Sequence, residues 1–152
     1  MSLLTLLEEQ ETEIVDEAAL SLERLRLPRY QEAGHALSRD RLAELYRLAL
    51  ESISSRNLVP IMDHMAQVAR ERFHAGYSIR EVQIAINVLE ESIWNRIVSQ
   101  SPPEELAESL GLVSTVLGAA KDSLARAYVS LASQTKAPSL DLSALFEGFT
   151  GG

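Results

Sequence analysis

The chain has 152 residues, of which 46% are hydrophobic, 24% charged and 5% aromatic, with no cysteine and a net charge of −8. The length suits one domain with a sizeable core. The acidic balance argues against nucleic acid and against an anionic membrane surface as partners. The lack of cysteine excludes disulfides and cysteine zinc sites and fits a cytoplasmic protein. Few aromatics and abundant Leu, Ala, Ile and Val favour packed helices.

The N-terminal segment predicts a first helix from about Leu3 to Leu25. Its apolar residues recur at helical spacing: Leu4, Leu7, Ile14, Ala18, Leu22 and Leu25. The opening stretch lacks a basic region and soon turns acidic, so it is not a secretory signal. Pro28 disfavours helical geometry in the residue before it and should end the helix.

The next stretch, LPRYQEAGHALSRD, reads as a connector that could contain some helix. Ser38 is a plausible N-cap for a second helix, and Pro60 suits the first turn of a third. The third helix should stop at Gly76, because glycine just past a helix end readily adopts positive φ.

A tight corner between helices is predicted within RFHAGYSIREVQ, residues 72–83. Ser78 and Glu81 match the capping box of a fourth helix, about residues 79–99. Tyr77, before the cap, and Val82 can form a hydrophobic staple. These local signals agree on how the third helix turns into the fourth.

Arg72 lies near the C-terminus of the third helix, where a cation is favoured by the helix dipole. A salt bridge to Glu81 or Glu90 across the corner is one expectation for it, and an anion site is another. Trp94, the single tryptophan, sits at the flank of the fourth helix's apolar stripe. It should be partly buried against a neighbouring helix, or it contacts a second copy in a homodimer.

A long fifth helix is expected from about Pro102 to Gln134, with Ser101 as its N-cap. Gly111 and Gly118 lie seven residues apart beside its apolar stripe, which suggests a close helix approach. The division is then a helical regulatory bundle over residues 1–134 and a tail or linker over 135–152.

The tail contains a short amphipathic segment, SLDLSALFEGFTGG. Its candidate docking residues are Leu142, Leu145, Phe146 and Phe149. They could bind a groove on a partner as amphipathic helices do. Disorder or packing against the chain's own bundle are the alternatives.

Two E-x-x-H matches, Glu32 with His35 and Glu71 with His74, raise the question of a di-iron bundle. The first pair contains a glycine within the connector, and the second falls in a final helical turn. The inward stripes are aliphatic, so chance matches are the preferred interpretation. His64 or His74 as a haem ligand is disfavoured by the low aromatic content. We therefore predict no metal and no cofactor.

Catalytic signatures are also missing from the sequence. It has no cysteine nucleophile, no G-x-S-x-G elbow and no glycine-rich phosphate loop. Adjacent carboxylates such as Glu90 and Glu91 do not face one another on a helix. The chain is predicted not to be an enzyme.

Three stretches together resemble the N-terminal domain of RsbT co-antagonist proteins of the RsbRD type. They are LLEEQETEIVDEAALSLERLRLPRY, ALSRDRLAELYRLAL and ARERFHAGYSIREVQIAINVLEESIW. The likeness covers roughly residues 3–134. One departure is that the family often carries a tryptophan in the first helix, where Val15 and Asp16 follow Ile14 here.

The resemblance implies an all-helical regulatory domain of bacterial stress signalling. Such domains precede an output module, often a STAS domain that engages a partner kinase. No output module follows here, so the chain is either a free-standing member or a fragment.

We expect an all-α bundle of about five helices without β-sheet, with the fourth and fifth helices central. Its expected role is that of a non-enzymatic sensor or regulatory module that binds a signalling output module or kinase, with a homodimer as a further expectation. A metal- or small-ligand-binding bundle and an oligomerisation module are the alternatives.

Overall fold

The computed structural model describes residues 2–136, and all that follows refers to them. Seven α-helices and one 3-10 turn account for nearly all of these residues, and the described part contains no strand. The helices are α1 (Leu3–Glu9), α2 (Glu11–Arg24), α3 (Pro28–Ala33), α4 (His35–Ser55), α5 (Val59–His74), α6 (Ile79–Gln100) and α7 (Leu106–Lys136), with the 3-10 turn at Pro103–Glu105. The all-α class is confirmed, and the expected number of helices was too low. The docking tail, with Leu142, Leu145, Phe146 and Phe149, lies outside the described residues.

The expected first helix is broken at Gln10, whose φ of −108° and ψ of 16° are not helical. In an unbroken helix the Leu7 carbonyl would accept a hydrogen bond from the Glu11 N–H. It accepts instead from the hydroxyl of Tyr46, a buried residue of α4, at 2.6 Å. The break comes from this long-range bond, which local sequence signals do not report.

The connector is more helical than expected, because it forms α3 and the first turns of α4. Gly34 separates the two helices with a φ of +90°, and its carbonyl accepts from the Ser38 N–H at 3.1 Å. The prediction that Ser38 caps a helix was wrong. It lies inside α4, is 6% exposed, and its hydroxyl has no hydrogen-bond partner.

The last helix also begins later than expected. Ser101 is extended and ends α6 by donating its N–H to the Ile97 carbonyl at 2.9 Å, so it does not cap α7. Pro103 restricts Pro102 to extended geometry, which delays the 3-10 turn and the helix behind it.

Gly111 and Gly118 do not mark a close helix approach. A Cβ added at either position would have no atom within 4 Å outside its own helix turn. That expectation was wrong, and both positions border open space on α7.

The core forms where α7 runs along α5 and α6 while α2 packs between α4 and α6. The largest fully buried side chains include Leu6, Ile14, Leu22, Tyr46, Ile61, Ile86, Leu89, Ile93, Ile97, Leu117 and Leu124. Among the described helices, none combines the length and apolar character needed to cross a membrane.

Candidate functional site

The corner between α5 and α6 begins with a Schellman motif at the end of α5. Gly76 has a φ of +87°, and its N–H donates to the Phe73 carbonyl at 3.2 Å. The Tyr77 N–H donates to the Arg72 carbonyl at 2.9 Å. Together these two bonds satisfy carbonyls that the helix end would leave unpaired.

The start of α6 has the predicted capping box. The Glu81 N–H donates to Ser78 Oγ, and the Ser78 N–H donates to Glu81 Oε1, both at 3.1 Å. The corner is therefore fixed on both sides by local bonds. An interaction role for these residues remains a prediction.

Tyr77 connects the corner to the rest of the bundle, while its expected staple with Val82 stays a prediction. Its hydroxyl accepts from Arg41 Nη1 at 3.1 Å and donates to the Arg29 carbonyl at 3.2 Å. Its own carbonyl accepts from the Tyr128 hydroxyl at 3.1 Å. Its ring packs edge-to-face on Tyr30, with centroids 5.2 Å apart. One residue thus joins α3, α4, α6 and α7.

Two guanidinium groups flank the Tyr77 ring. Those of Arg41 and Arg72 lie 5.9 and 5.6 Å from its centroid, within the range of cation–π attraction. Arg72 is 8% exposed. Burial, and secondarily the charge of Arg41, lowers the pKa of the Arg72 guanidinium below its ordinary value.

The salt bridge expected from Arg72 to Glu81 or Glu90 is not formed. Glu81 belongs to the capping box, and Glu90 accepts from Lys121 Nζ at 3.0 Å. Arg72 pairs with its chain neighbour Glu71, at 3.5 Å. The prediction failed because each distal carboxylate already has a nearer partner.

A cavity of about 340 Å³ lies beside this cluster, between α2, α4, α5 and α6. Arg41, Arg72 and Tyr30 form part of its wall. A smaller cavity of about 180 Å³ shares Tyr30 and Ser38 with it.

Trp94 lies apart from the corner, one helical turn beyond Glu90 on α6. It is one of the exposed large hydrophobic residues of the described part, with 39% of its surface accessible. Contact with a second copy remains a prediction.

The structure separates one of the two E-x-x-H pairs. Glu32 is in α3 and pairs with Arg29, while His35 begins α4 and faces Glu23 at 3.3 Å. The other pair lies in the last turn of α5. Within residues 2–136, no group of three His, Cys, Asp or Glu side chains gathers as a metal site would require.

Sequence reasoning missed Arg41, Tyr30 and Tyr128 as members of the cluster. Three of the four tyrosines converge there, and burial raises the pKa of Tyr30 and Tyr128. The low number of aromatic residues was the sequence signal for this cluster. When aromatic residues are few, each can be expected to lie at a contact between several helices.

A family model described as "RsbT co-antagonist protein rsbRD N-terminal domain" matches residues 7–134. This confirms the resemblance seen in the sequence. No curated protein and no solved structure matches the chain.

Proposed function

The chain belongs to the RsbT co-antagonist RsbRD N-terminal domain family, and we propose that it is a non-enzymatic sensor and regulatory module that binds a protein partner. The observation that carries the proposal is the family match over residues 7–134, which spans α2 to α6 and nearly all of α7. The family implies a regulatory domain of bacterial stress signalling. The partner we propose is a kinase or output module of that system, in a cytoplasmic setting.

The polar groups of the corner support a binding module. Tyr77, Tyr128 and Arg41 use their hydrogen bonds to hold helices together. Such a cluster fixes the relative positions of α4, α6 and α7, and so presents a defined surface to a partner.

Co-purification tests the proposal. The full chain, co-expressed with an RsbT-type kinase from the same genome, should elute with it as one complex at stoichiometric ratio. Separate elution of the two proteins at micromolar concentration would contradict the proposal.

The division into a bundle of residues 1–134 and a docking tail of 135–152 is part of the same proposal. The amphipathic tail segment would add to partner affinity by docking its apolar face in a groove. Replacing Phe146 and Phe149 by Ser in the full chain should then lower partner recovery. Unchanged recovery would show that the tail does not contribute to binding and that the bundle alone binds the partner.

A homodimer is the second candidate, favoured by an exposed apolar pair on α6. Trp94 and Val98 lie one turn apart and are 39% and 58% exposed. Few residues link α6 to α7, so the two helices run antiparallel. Lys121 of α7 binds Glu90 of α6, which places Gly118 at about the level of Trp94 along the helix axes. Tryptophan is enriched at interfaces, and the open space around Gly118 leaves room for a partner.

Light scattering separates the two states. This face is supported if the dimer dissociates when Trp94 and Val98 are replaced by Ser but persists with Val129→Ser, at another exposed position on α7. A monomeric wild-type chain would contradict it.

A further inference from the structure

The larger cavity has two arginines whose charges the protein compensates weakly. Arg41 donates to the Tyr77 hydroxyl, and no described carboxylate lies within ion-pair distance of it. Arg72 pairs with Glu71 at 3.5 Å, but the Glu71 side chain is 56% exposed and its charge is screened by water. Two adjacent cations, one of them buried, therefore face the same space.

The two carboxylates of the wall, Glu44 and Glu71, are both more than half exposed, so water screens their charges. Glu44 and His64 lie 3.9 Å from each other, and the Glu44 side chain is 60% exposed. Glu71 is the remaining carboxylate on the wall. The carboxylate that pairs with the buried Arg72 is thus largely screened, so the Arg72 site favours an incoming anion.

A buried hydroxyl on the wall also lacks a partner. Ser38 is 6% exposed, and its Oγ makes no hydrogen bond. Buried polar groups are nearly always bonded, so this hydroxyl is a second, independent group that a ligand could engage. It lies on the boundary with the smaller cavity.

Most of the remaining wall is apolar, contributed by Leu22, Leu42, Leu45, Met65, Val82 and Ile86 among others, and Gln67 adds an amide. The volume falls near the lower end of the range of roughly 300–1,000 Å³ that is typical of small-molecule pockets. An occupant must therefore combine an anionic head with a short apolar body.

We infer that this cavity binds a small aliphatic carboxylate, with its carboxylate at Arg41 and Arg72 and its chain along the apolar wall. A carboxylate matches the planar fork of arginine and can accept from both groups. Ser38 provides a further donor. The inference rests on these side chains and holds whether or not the proposed partner binds.

Hexanoate is the probe, with 1-hexanol as its neutral counterpart and inorganic phosphate as an anion without an apolar body. Calorimetry and thermal unfolding of the full chain should show saturable binding of hexanoate and a rise in Tm, because a ligand that binds only the folded state stabilises it. Hexanol and phosphate should bind more weakly by roughly tenfold or more.

Matched variants locate the site. Arg41→Gln and Arg72→Gln should each weaken hexanoate binding roughly tenfold or more, the scale of one charge-assisted hydrogen bond. Arg70→Gln, on an exposed position of α5 outside the cavity wall, should leave it unchanged. Arg41 is only half-buried, so Arg41→Gln should fold. It therefore still tests the site if Arg72→Gln fails to fold.

The inference would be overturned by an absence of hexanoate binding at millimolar concentration, by equal affinity for hexanol, or by equal affinity in Arg41→Gln. If phosphate bound as tightly as hexanoate, the apolar wall would contribute nothing to binding. The assignment of an aliphatic carboxylate as the ligand would then be wrong.

Discussion

At the scale of single residues, Tyr77 and Arg72 show how a turn can become a junction. Gly76 and the capping box determine the path of the chain through local bonds, as the sequence predicted. The contacts of Tyr77 with Tyr30, Arg41 and Tyr128 join residues 36 to 51 positions apart, and no local pattern indicates them. Capping chemistry is readable from a sequence, whereas this convergence depends on how the helices pack.

The positive φ of Gly76 provides the first stability test. Gly76→Ala should destabilise the chain by about 1–2 kcal/mol, because a Cβ disfavours the left-handed region. The new methyl would also lie 3.1 Å from the Arg29 guanidinium, which must move. Urea unfolding measures the change, and an unaltered midpoint would contradict the strained corner.

Tyr46 provides a second residue-scale test. Tyr46→Phe keeps the packing of the ring but removes the hydroxyl that bonds the Leu7 carbonyl. A buried acceptor left unpaired costs about 1–3 kcal/mol, so the free energy of unfolding should fall by that amount. A variant as stable as wild type would show that this bond does not maintain the break at Gln10.

At the scale of elements, the long periodic helices were predicted closely and the short ones were not. The period of α6 and its capping box defined that helix from the sequence alone. The break between α1 and α2 depends on Tyr46, and the early start of α4 places Ser38 in the interior. Tertiary contacts decided these cases over local propensity.

The open space around Gly118 allows a test of the stability of α7. Gly118→Ala should stabilise the chain by about 0.5–1 kcal/mol, since alanine loses less backbone freedom and a Cβ there meets no atom within 4 Å. Thermal unfolding at low protein concentration measures this effect. A loss of stability would mean that the position is closely packed, as a tight homodimer at this face would require.

At the scale of the whole molecule, the buried tyrosines make the free energy of unfolding depend on pH in the alkaline range. Burial raises the pKa of Tyr128 from 10.0 to about 12 and shifts the pKa of Tyr30 and Tyr46 upward too. Their contribution to stability is complete below pH 10 and is lost as pH rises towards and through the folded-state values, because the unfolded chain ionises first.

Unfolding free energy should therefore fall between pH 10 and pH 12, by up to about 1.4 kcal/mol per pH unit for each such tyrosine. Tyr128→Phe should reduce that slope. Urea titrations across this range measure it, and a stability that stays flat there would contradict the burial of these hydroxyls.

The candidate site was only partly predictable at this scale. Arg72 was singled out from its position at a helix end, and an anion site was one of the alternatives for it. Arg41 and Ser38 gave no such sign, because they reach the cavity only through the packing of α4 on α5 and α2. The family, in contrast, was readable from the helical segments themselves.

We propose that this helical domain regulates by binding a protein of the signalling system. The most direct measurement is a calorimetric titration of the full 152-residue chain with the RsbT-type kinase of the same organism. We expect saturable binding with a defined stoichiometry. The proposal would be contradicted if no binding heat were seen at several temperatures with both proteins folded and above roughly ten micromolar. Such a result would mean a binding free energy weaker than about −7 kcal/mol.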